Sequence, residues 1–181
     1  MYLRSIFTFF LVSFFFSGCS VSNTPLAFIS HKTTISTEEV NDAFAKVFPM
    51  RKKSSFGAVA FNRALLKPST ESDRVALSVA FGMTSFEIPE GIEGALTLSA
   101  GLRYDPKSKK IYLKEVTPVD VLFNDASLSK YISKEAKAAL NVIAMRALSD
   151  VEIYQVKESF AARFIKNISV SKGKIVLEYG L

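Results

Sequence analysis

The segment VALSVAFGMT, residues Val75–Thr84, alternates large apolar residues with small ones, and this alternation decides the fold class. Successive side chains of a strand point to opposite faces, so a period of two predicts a β-strand with one apolar face. The segment ALTLSAGLRY, residues Ala95–Tyr104, repeats the pattern. We therefore expect two strands whose apolar faces lie on the same side of one sheet.

The alternation extends on both sides into a meander of long strands. We predict antiparallel strands at about 56–66, 73–88, 91–105 and 109–123. Turn residues separate them at Pro68–Thr70, Pro89–Gly91 and Asp105–Ser108. Because these strands exceed the usual length of about five or six residues, we expect a strongly curved or rolled sheet.

The second face of these strands carries Ala, Ser, Thr and Gly rather than the charged residues of a fully solvated face. Two interpretations stay open. Either another element or a lipid surface covers this face, or it is a low-charge exterior.

Two helices are expected, one on each side of the meander. Ser36 and Glu39 have the spacing of a capping box that starts the first helix, and Pro49 ends it. The second is long and runs from Ser127 to Ser149. Its apolar stripe comprises Leu128, Ile132, Ala136, Ala139, Leu140, Ile143 and Ala147. We expect this stripe to pack against the apolar face of the sheet.

Shorter elements complete the prediction. We expect a strand near 32–35, a turn at Arg51–Lys53, a strand at 151–156, a helical turn at 157–165 and a closing hairpin around Ser171–Lys174. The predicted fold class is therefore α+β, with a long curved antiparallel sheet, one long helix and a short N-terminal helix.

The N-terminus follows the pattern of an export signal. Arg4 is basic, Ile6–Phe16 is apolar and shorter than the roughly 20 residues of a membrane span, and Ser17 and Gly18 are small. The stretch FSGC that ends at Cys19 resembles the bacterial lipobox, although Phe16 stands where Leu is usual. We expect lipidation of Cys19, the only cysteine; the alternative is an ordinary cleaved signal. By resemblance to enteric lipoproteins, Ser20 in place of Asp favours the outer membrane, facing the periplasm.

These observations divide the chain into residues 1–18 as a cleaved signal peptide, 19–30 as a lipidated tether and 31–181 as one domain. Cleavage lowers the net charge of +6 only by the charge of Arg4. This small excess of positive charge does not indicate any particular class of binding partner.

Residues that carry chemistry are few. His31, the only histidine, has no cysteine or carboxylate pair near it in the sequence, and Cys19 is assigned to the lipid. Glu87, Glu90 and Glu93 surround a Pro-Gly turn, which we interpret as turn surface. The sequence therefore predicts no enzyme activity, no catalytic residue, no metal site and no cofactor. Export out of the cytoplasm argues against nucleic-acid binding.

Three segments resemble the YceB-like lipoproteins, a family described as a domain of unknown function: Lys109–Asp120 (KKIYLKEVTPVD), Ile168–Leu177 (ISVSKGKIVL) and Thr33–Asn41 (TTISTEEVN). The resemblance implies a sheet rolled around the long helix, similar to the super-roll of tubular lipid-binding proteins. It also implies an apolar groove between sheet and helix, and it carries no set of ligand residues.

We therefore expect a membrane-anchored binding module for a lipid or other hydrophobic ligand. The candidate groove lining comprises Val75, Leu77, Val79, Phe81, Leu96, Leu98, Leu102, Leu140 and Ile143. The same residues are also explained by simple core packing, and that alternative stays open. A structural or interaction lipoprotein of the cell envelope, with no small ligand, is the alternative function.

Overall fold

The structure, a computed structural model, describes residues 31–54, 57–67, 73–86, 88–157, 160–171 and 173–180. Within these ranges the elements are β1 His31–Ile35, α1 Thr37–Val47, β2 Met50–Ser54, β3 Gly57–Lys67, β4 Val75–Ser85, β5 Ile92–Asp105, β6 Lys110–Phe123, α2 Lys134–Leu148, β7 Glu152–Gln155, β8 Ile165–Ser171 and β9 Lys174–Tyr179. Two short 3-10 helices lie at Leu128–Tyr131 and Phe160–Phe164.

Strands β2 to β7 form one antiparallel sheet in chain order, curled into a half-barrel. Leu77 lies directly opposite Leu98, and Val79 lies opposite Leu96, so their apolar faces coincide as the alternation predicted. Irregularities in register interrupt the β3–β4 and β5–β6 pairings. Because bulges bend a strand and increase its twist, they help such long strands to curl. The predicted meander is confirmed.

The prediction of a turn at Arg51–Lys53 was wrong. These residues lie in β2, an edge strand in which Arg51 pairs with Ala60 and Lys53 with Ala58. The backbone ladder of β3 holds this strand, and its basic side chains are exposed. Polar edge strands lack the apolar alternation by which the other strands were recognised, and their charges discourage pairing with other chains.

A second sheet joins the two ends of the described chain, in the order β1-β9-β8. The closing hairpin β8–β9 was predicted, and Val170 pairs with Ile175 in it. The pairing of β1 with β9 was not predicted, although it places Ile35 opposite Ile175. Pairing between residues that lie so far apart in the chain leaves no periodic signal in the sequence.

Helix α1 covers the part of the β3 edge that β2 leaves free. The predicted capping box is confirmed, since the Ser36 hydroxyl accepts from the Glu39 backbone N–H at 3.2 Å, and the Glu39 carboxylate accepts from the Ser36 N–H at 3.0 Å. Its apolar face buries Val40 and Phe44. The Asn41 side-chain oxygen accepts a hydrogen bond from the Leu66 backbone N–H at 2.8 Å and so satisfies a donor of the strand edge.

Helix α2 is shorter than predicted, and its buried face coincides with the predicted stripe only in part. It starts after Ser133, whose hydroxyl accepts from the Ala136 N–H at 3.1 Å. The fully buried line has a spacing of four residues and comprises Ile132, Ala136, Leu140, Ala144 and Leu148. Ala139, Ile143 and Ala147 are only half-buried beside it. Ile132, Ala136 and Leu140 are thus buried as predicted, whereas the buried Ala144 and Leu148 were not part of the predicted stripe.

The core is one apolar cluster between the inner face of the curled sheet, the two helices and the small sheet. In the described part of the chain no polar or charged side chain is buried in it. Strand content exceeds the α+β prediction, and the chain is mostly β. The signal, Cys19, the tether and the turn at Pro68–Thr70 lie outside the described residues.

Candidate functional site

The candidate groove residues divide into two groups by position. The seven on β4 and β5 are at most 7% exposed and belong to the central core: Val75, Leu77, Val79, Phe81, Leu96, Leu98 and Leu102. Leu140 and Ile143 lie on α2, where Leu140 is buried and Ile143 is half-buried. In this packed state the strand residues are buried within the core on the inner face of the sheet.

A crevice separates the N-terminal half of α2 from the ends of β3 and β4. We call it the helix–sheet crevice; its lining comprises Ser54, Gly57, Val59, Met83, Thr84, Ala136, Ala139, Leu140 and Ile143. Its volume is about 20 Å³, the scale of a single water molecule. The crevice is therefore closed to an acyl chain in this conformation, but its apolar walls continue into the core.

The attachments of α2 concentrate on the opposite side, at β6. The Lys137 ammonium lies 5.9 Å from the centre of the Phe123 ring, and that ring packs edge-on against Phe81 at 5.7 Å. After the helix, the Asp150 N–H donates to the Leu113 carbonyl at 3.0 Å. Helix α2 is thus held along β6, while the crevice borders its other flank.

The walls of the crevice are mostly aliphatic because α2 contributes small side chains there. Ala136 and Ala139 leave space that larger residues would fill, and Leu140 and Ile143 form the apolar wall behind them. Polar groups occur on the strand side: the Ser54 hydroxyl donates to the Gly57 carbonyl at 3.4 Å, and Thr84 is exposed. An apolar pocket with few polar groups suits a hydrophobic ligand.

Titratable groups with shifted pKa values lie elsewhere and have local structural causes. Burial raises the pKa of Tyr104, and burial together with the nearby Glu39 raises that of Tyr154. A hydrogen bond from the Ser108 hydroxyl lowers the pKa of Asp105. The Glu152 carboxylate, 2.6 Å from the Lys110 ammonium, raises the pKa of that lysine.

The remaining sequence candidates for chemistry are dispersed. His31 is exposed on β1, with its ring centre 6.1 Å from that of Tyr179. Glu90 and Glu93 are exposed near the β4–β5 turn, and Glu87 lies outside the described residues. Across the described ranges, His, Cys, Asp and Glu form no group of three or more that would hold a metal ion. No helix in this part of the chain is long and apolar enough to cross a membrane.

The chain is a sheet-rich protein with a curled six-stranded sheet, and its sequence matches a protein family. The family model described as "Protein of unknown function (DUF1439)" matches residues 35–174, and the chain belongs to this family. The match runs from the last residue of β1 to the first residue of β9 and includes both helices. A search of curated proteins gives no match.

The strand side of the crevice was not predicted from the sequence. Val59 on β3 and Met83 on β4 line it, yet the candidate lining omitted both. The alternation that includes Val59 and Phe61 was available as a signal, since both are buried on the inner face. The sequence contained no signal for the position of α2. That position determines which part of the inner face borders the helix–sheet crevice.

Proposed function

We propose that this protein is a lipid-anchored protein of the bacterial cell envelope that binds a lipid or similar hydrophobic ligand between α2 and the curled sheet. The anchor is the lipid on Cys19, and the membrane is the outer membrane, facing the periplasm. The fold is proposed to be the super-roll of tubular lipid-binding proteins. Its role is binding rather than catalysis.

One observation carries the proposal: the helix–sheet crevice, closed to an acyl chain in this conformation, is lined on both sides by apolar residues that belong to the core. Val59 and Met83 on the strands and Leu140 on the helix line it, and all three are buried members of the core. An acyl chain that enters there and displaces α2 remains in contact with apolar side chains along its length. Each buried methylene contributes about 0.8 kcal/mol.

The packing of α2 is compatible with such a displacement. The buried line of the helix alternates leucine with alanine, so at Ala136 and Ala144 only small side chains contact the rest of the core, while Leu140 and Leu148 are the main anchors. The side-chain oxygen of Asn141 is buried without a hydrogen-bond partner in the described part of the chain. A buried unsatisfied polar atom costs about 1–3 kcal/mol, and outward movement of α2 would relieve that cost.

Native mass spectrometry of the chain expressed from Ser20 onward, which lacks Cys19 and therefore its lipid, tests the binding. We expect a co-purifying lipid, or uptake of oleate when that fatty acid is added. A mass equal to that of the polypeptide alone, after several loading attempts, contradicts the proposal.

A pair of substitutions locates the binding. Ala139 lines the crevice, whereas its neighbour Ala138 is exposed on α2. Ala139→Trp should fill the crevice and reduce oleate binding, and Ala138→Trp should leave it unchanged. The chain contains no tryptophan, so each variant carries a single fluorophore that also reports local polarity. Equal binding by both variants would exclude the crevice as the entrance.

A second candidate function is an interaction protein of the envelope without a small ligand. Val119 and Leu122 favour it, because 64% and 62% of their surfaces are exposed on the half of β6 that β7 does not pair with. Single exposed apolar residues are common, whereas a contiguous apolar patch at a sheet edge is typical of a contact surface. Chemical cross-linking in intact cells separates the functions: loss of a cross-linked partner in a Val119→Lys, Leu122→Lys variant that still binds oleate would assign the contact to β6.

A further inference from the structure

The outer face of the curled sheet carries a broad trough at β2 to β5, with a volume of about 440 Å³. Its floor consists of small residues: Ala58, Ala60, Gly82 and Thr84. Arg51 and Lys53 form one wall on β2, and Glu90 and Glu93 form the other beside β4 and on β5. All four charged side chains are exposed.

The charges of the trough lie in register across the strands. Arg51 pairs with Ala60, Ala60 pairs with Gly82, and Gly82 pairs with Glu93. Directly opposite residues of an antiparallel pair point to the same face, so this row runs from a cation through two small residues to an anion. In the next row Lys53 pairs with Ala58 and Ala58 with Thr84, and no carboxylate of β5 is paired with Thr84.

These opposite charges do not neutralise each other within one molecule. Three strand spacings of about 4.8 Å separate Arg51 from Glu93 by about 14 Å, beyond the roughly 8 Å screening length at physiological salt. None of the ion pairs in the described part of the chain involves Arg51, Lys53 or Glu93. The charged side chains of both walls are therefore exposed to solvent and accessible to charges of another molecule.

We propose that the trough is the contact surface of a two-fold dimer with a second copy of this chain. A two-fold axis that runs parallel to the strands, between β3 and β4, places Arg51 of each copy over Glu93 of the other. It also places Ala60 over Gly82, so the small floors face each other and allow two sheets to stack at about 10 Å. Such an isologous contact requires a surface that is complementary to itself.

The charge pattern favours a second copy over an anionic partner. The trough has three cations, with Lys52 as the third, and two carboxylates, so its net attraction for an anionic surface is small. A two-fold contact places each end of the row over the opposite end of the same row in the second copy. A cation at one end and an anion at the other therefore attract each other at both ends. The contact area is small: the five residues of β2 extend about 16 Å, and a width of about 14 Å then gives roughly 230 Å² per copy, well below the about 800 Å² per partner of a standard interface. The dimer is therefore weak, and attachment of both copies to one membrane raises their effective concentration.

The test is sedimentation equilibrium of the full chain in detergent, at concentrations from about 1 μM to about 1 mM. We expect a concentration-dependent dimer. Arg51→Glu and Glu93→Arg should each weaken it at least about tenfold, because each variant brings like charges together at both contacts. An equimolar mixture of the two variants should recover the dimer, since each contact between unlike copies then joins a carboxylate to a guanidinium again.

A steric pair completes the test. A Cβ at Gly82 meets nothing closer than 3.9 Å, so Gly82→Ala should leave the dimer intact, whereas Gly82→Trp fills the floor and should abolish it. Circular dichroism shows whether each variant keeps its fold. Wild-type chain that stays monomeric throughout the concentration range, or a mixture of charge variants that stays monomeric, overturns the proposal. A dimer that is indifferent to the charge reversals overturns it as well.

Discussion

The Tyr104 hydroxyl donates a hydrogen bond to the Ala162 carbonyl at 2.7 Å and so links the end of β5 to the 3-10 helix that precedes β8. The long sheet and the small sheet are separate hydrogen-bonded ladders, and β5 and β8 contact each other in this region. The tyrosine thus joins two parts of the fold that lie far apart in the chain.

Tyr104→Phe should lower the free energy of unfolding by about 1 kcal/mol, because it removes one half-buried hydrogen bond and leaves the Ala162 carbonyl without this donor. Urea denaturation of the variant and the wild type measures the difference. Tyr112→Phe is a suitable control, since that hydroxyl makes only a 3.4 Å contact with Ser108. A Tyr104 variant as stable as the wild type would show that this link contributes nothing.

Stability should fall at alkaline pH because of the same tyrosine. Burial raises the pKa of Tyr104 above its ordinary value of about 10, and the nearby Tyr179 and Asp105 add to the effect. The folded state therefore holds the proton more tightly than the unfolded state. The stabilisation is complete below the ordinary pKa and is lost as pH rises through the folded pKa. Unfolding at several pH values should show a smaller alkaline loss in Tyr104→Phe, with a residual loss from Tyr154, whose pKa is also raised.

Gly94 and Gly82 should respond oppositely to the same substitution. A Cβ at Gly94 would lie 2.3 Å from the Leu122 carbonyl oxygen and 2.8 Å from the Phe81 ring. Gly94→Ala should therefore cost about 1–3 kcal/mol of stability through backbone displacement. At Gly82 the nearest atom is 3.9 Å from such a Cβ, so Gly82→Ala should be neutral or slightly stabilising. Thermal unfolding of both variants checks the contrast, and equal melting temperatures would refute it.

Asn41 should matter more than its exposed neighbour Asp42. Asn41→Ala leaves the Leu66 backbone N–H without its acceptor and should cost about 1–3 kcal/mol. Asn41→Asp retains an acceptor and should cost less, and Asp42→Ala should be nearly neutral. Denaturant midpoints measure the order; an Asn41→Ala variant no weaker than Asp42→Ala would mean that water replaces the side chain.

Cys19→Ala should abolish both acyl labelling and fractionation with membranes. Ser20→Ala, which keeps the cysteine, should retain both. Ser20→Asp should move the protein from the outer to the inner membrane if the residue after the cysteine sorts it. Membrane fractionation of the Cys19→Ala variant as in the wild type would refute the anchor.

The sequence by itself determined the strands and their faces, since alternation of large and small residues at Val75–Thr84 is a local physical property of extended chain. It also determined the start of α1, because the capping box of Ser36 and Glu39 acts within four residues. The edge strand β2 was not predicted. Its basic side chains show no alternation of apolar and polar residues, and backbone hydrogen bonds to β3 hold it in the sheet.

Tertiary structure alone decided what depends on distant contacts. Three features depend on contacts between segments remote in sequence: the pairing of Ile35 with Ile175, the burial of Ala144 on α2, and the crevice between Met83 and Ile143. The row from Arg51 to Glu93 also depends on distant contacts, because its two charges lie on one line across the sheet only when β2 to β5 pair side by side. Local sequence patterns specify which face of a helix or strand is apolar. The packing of the whole chain around one core determines which other apolar surface that face contacts.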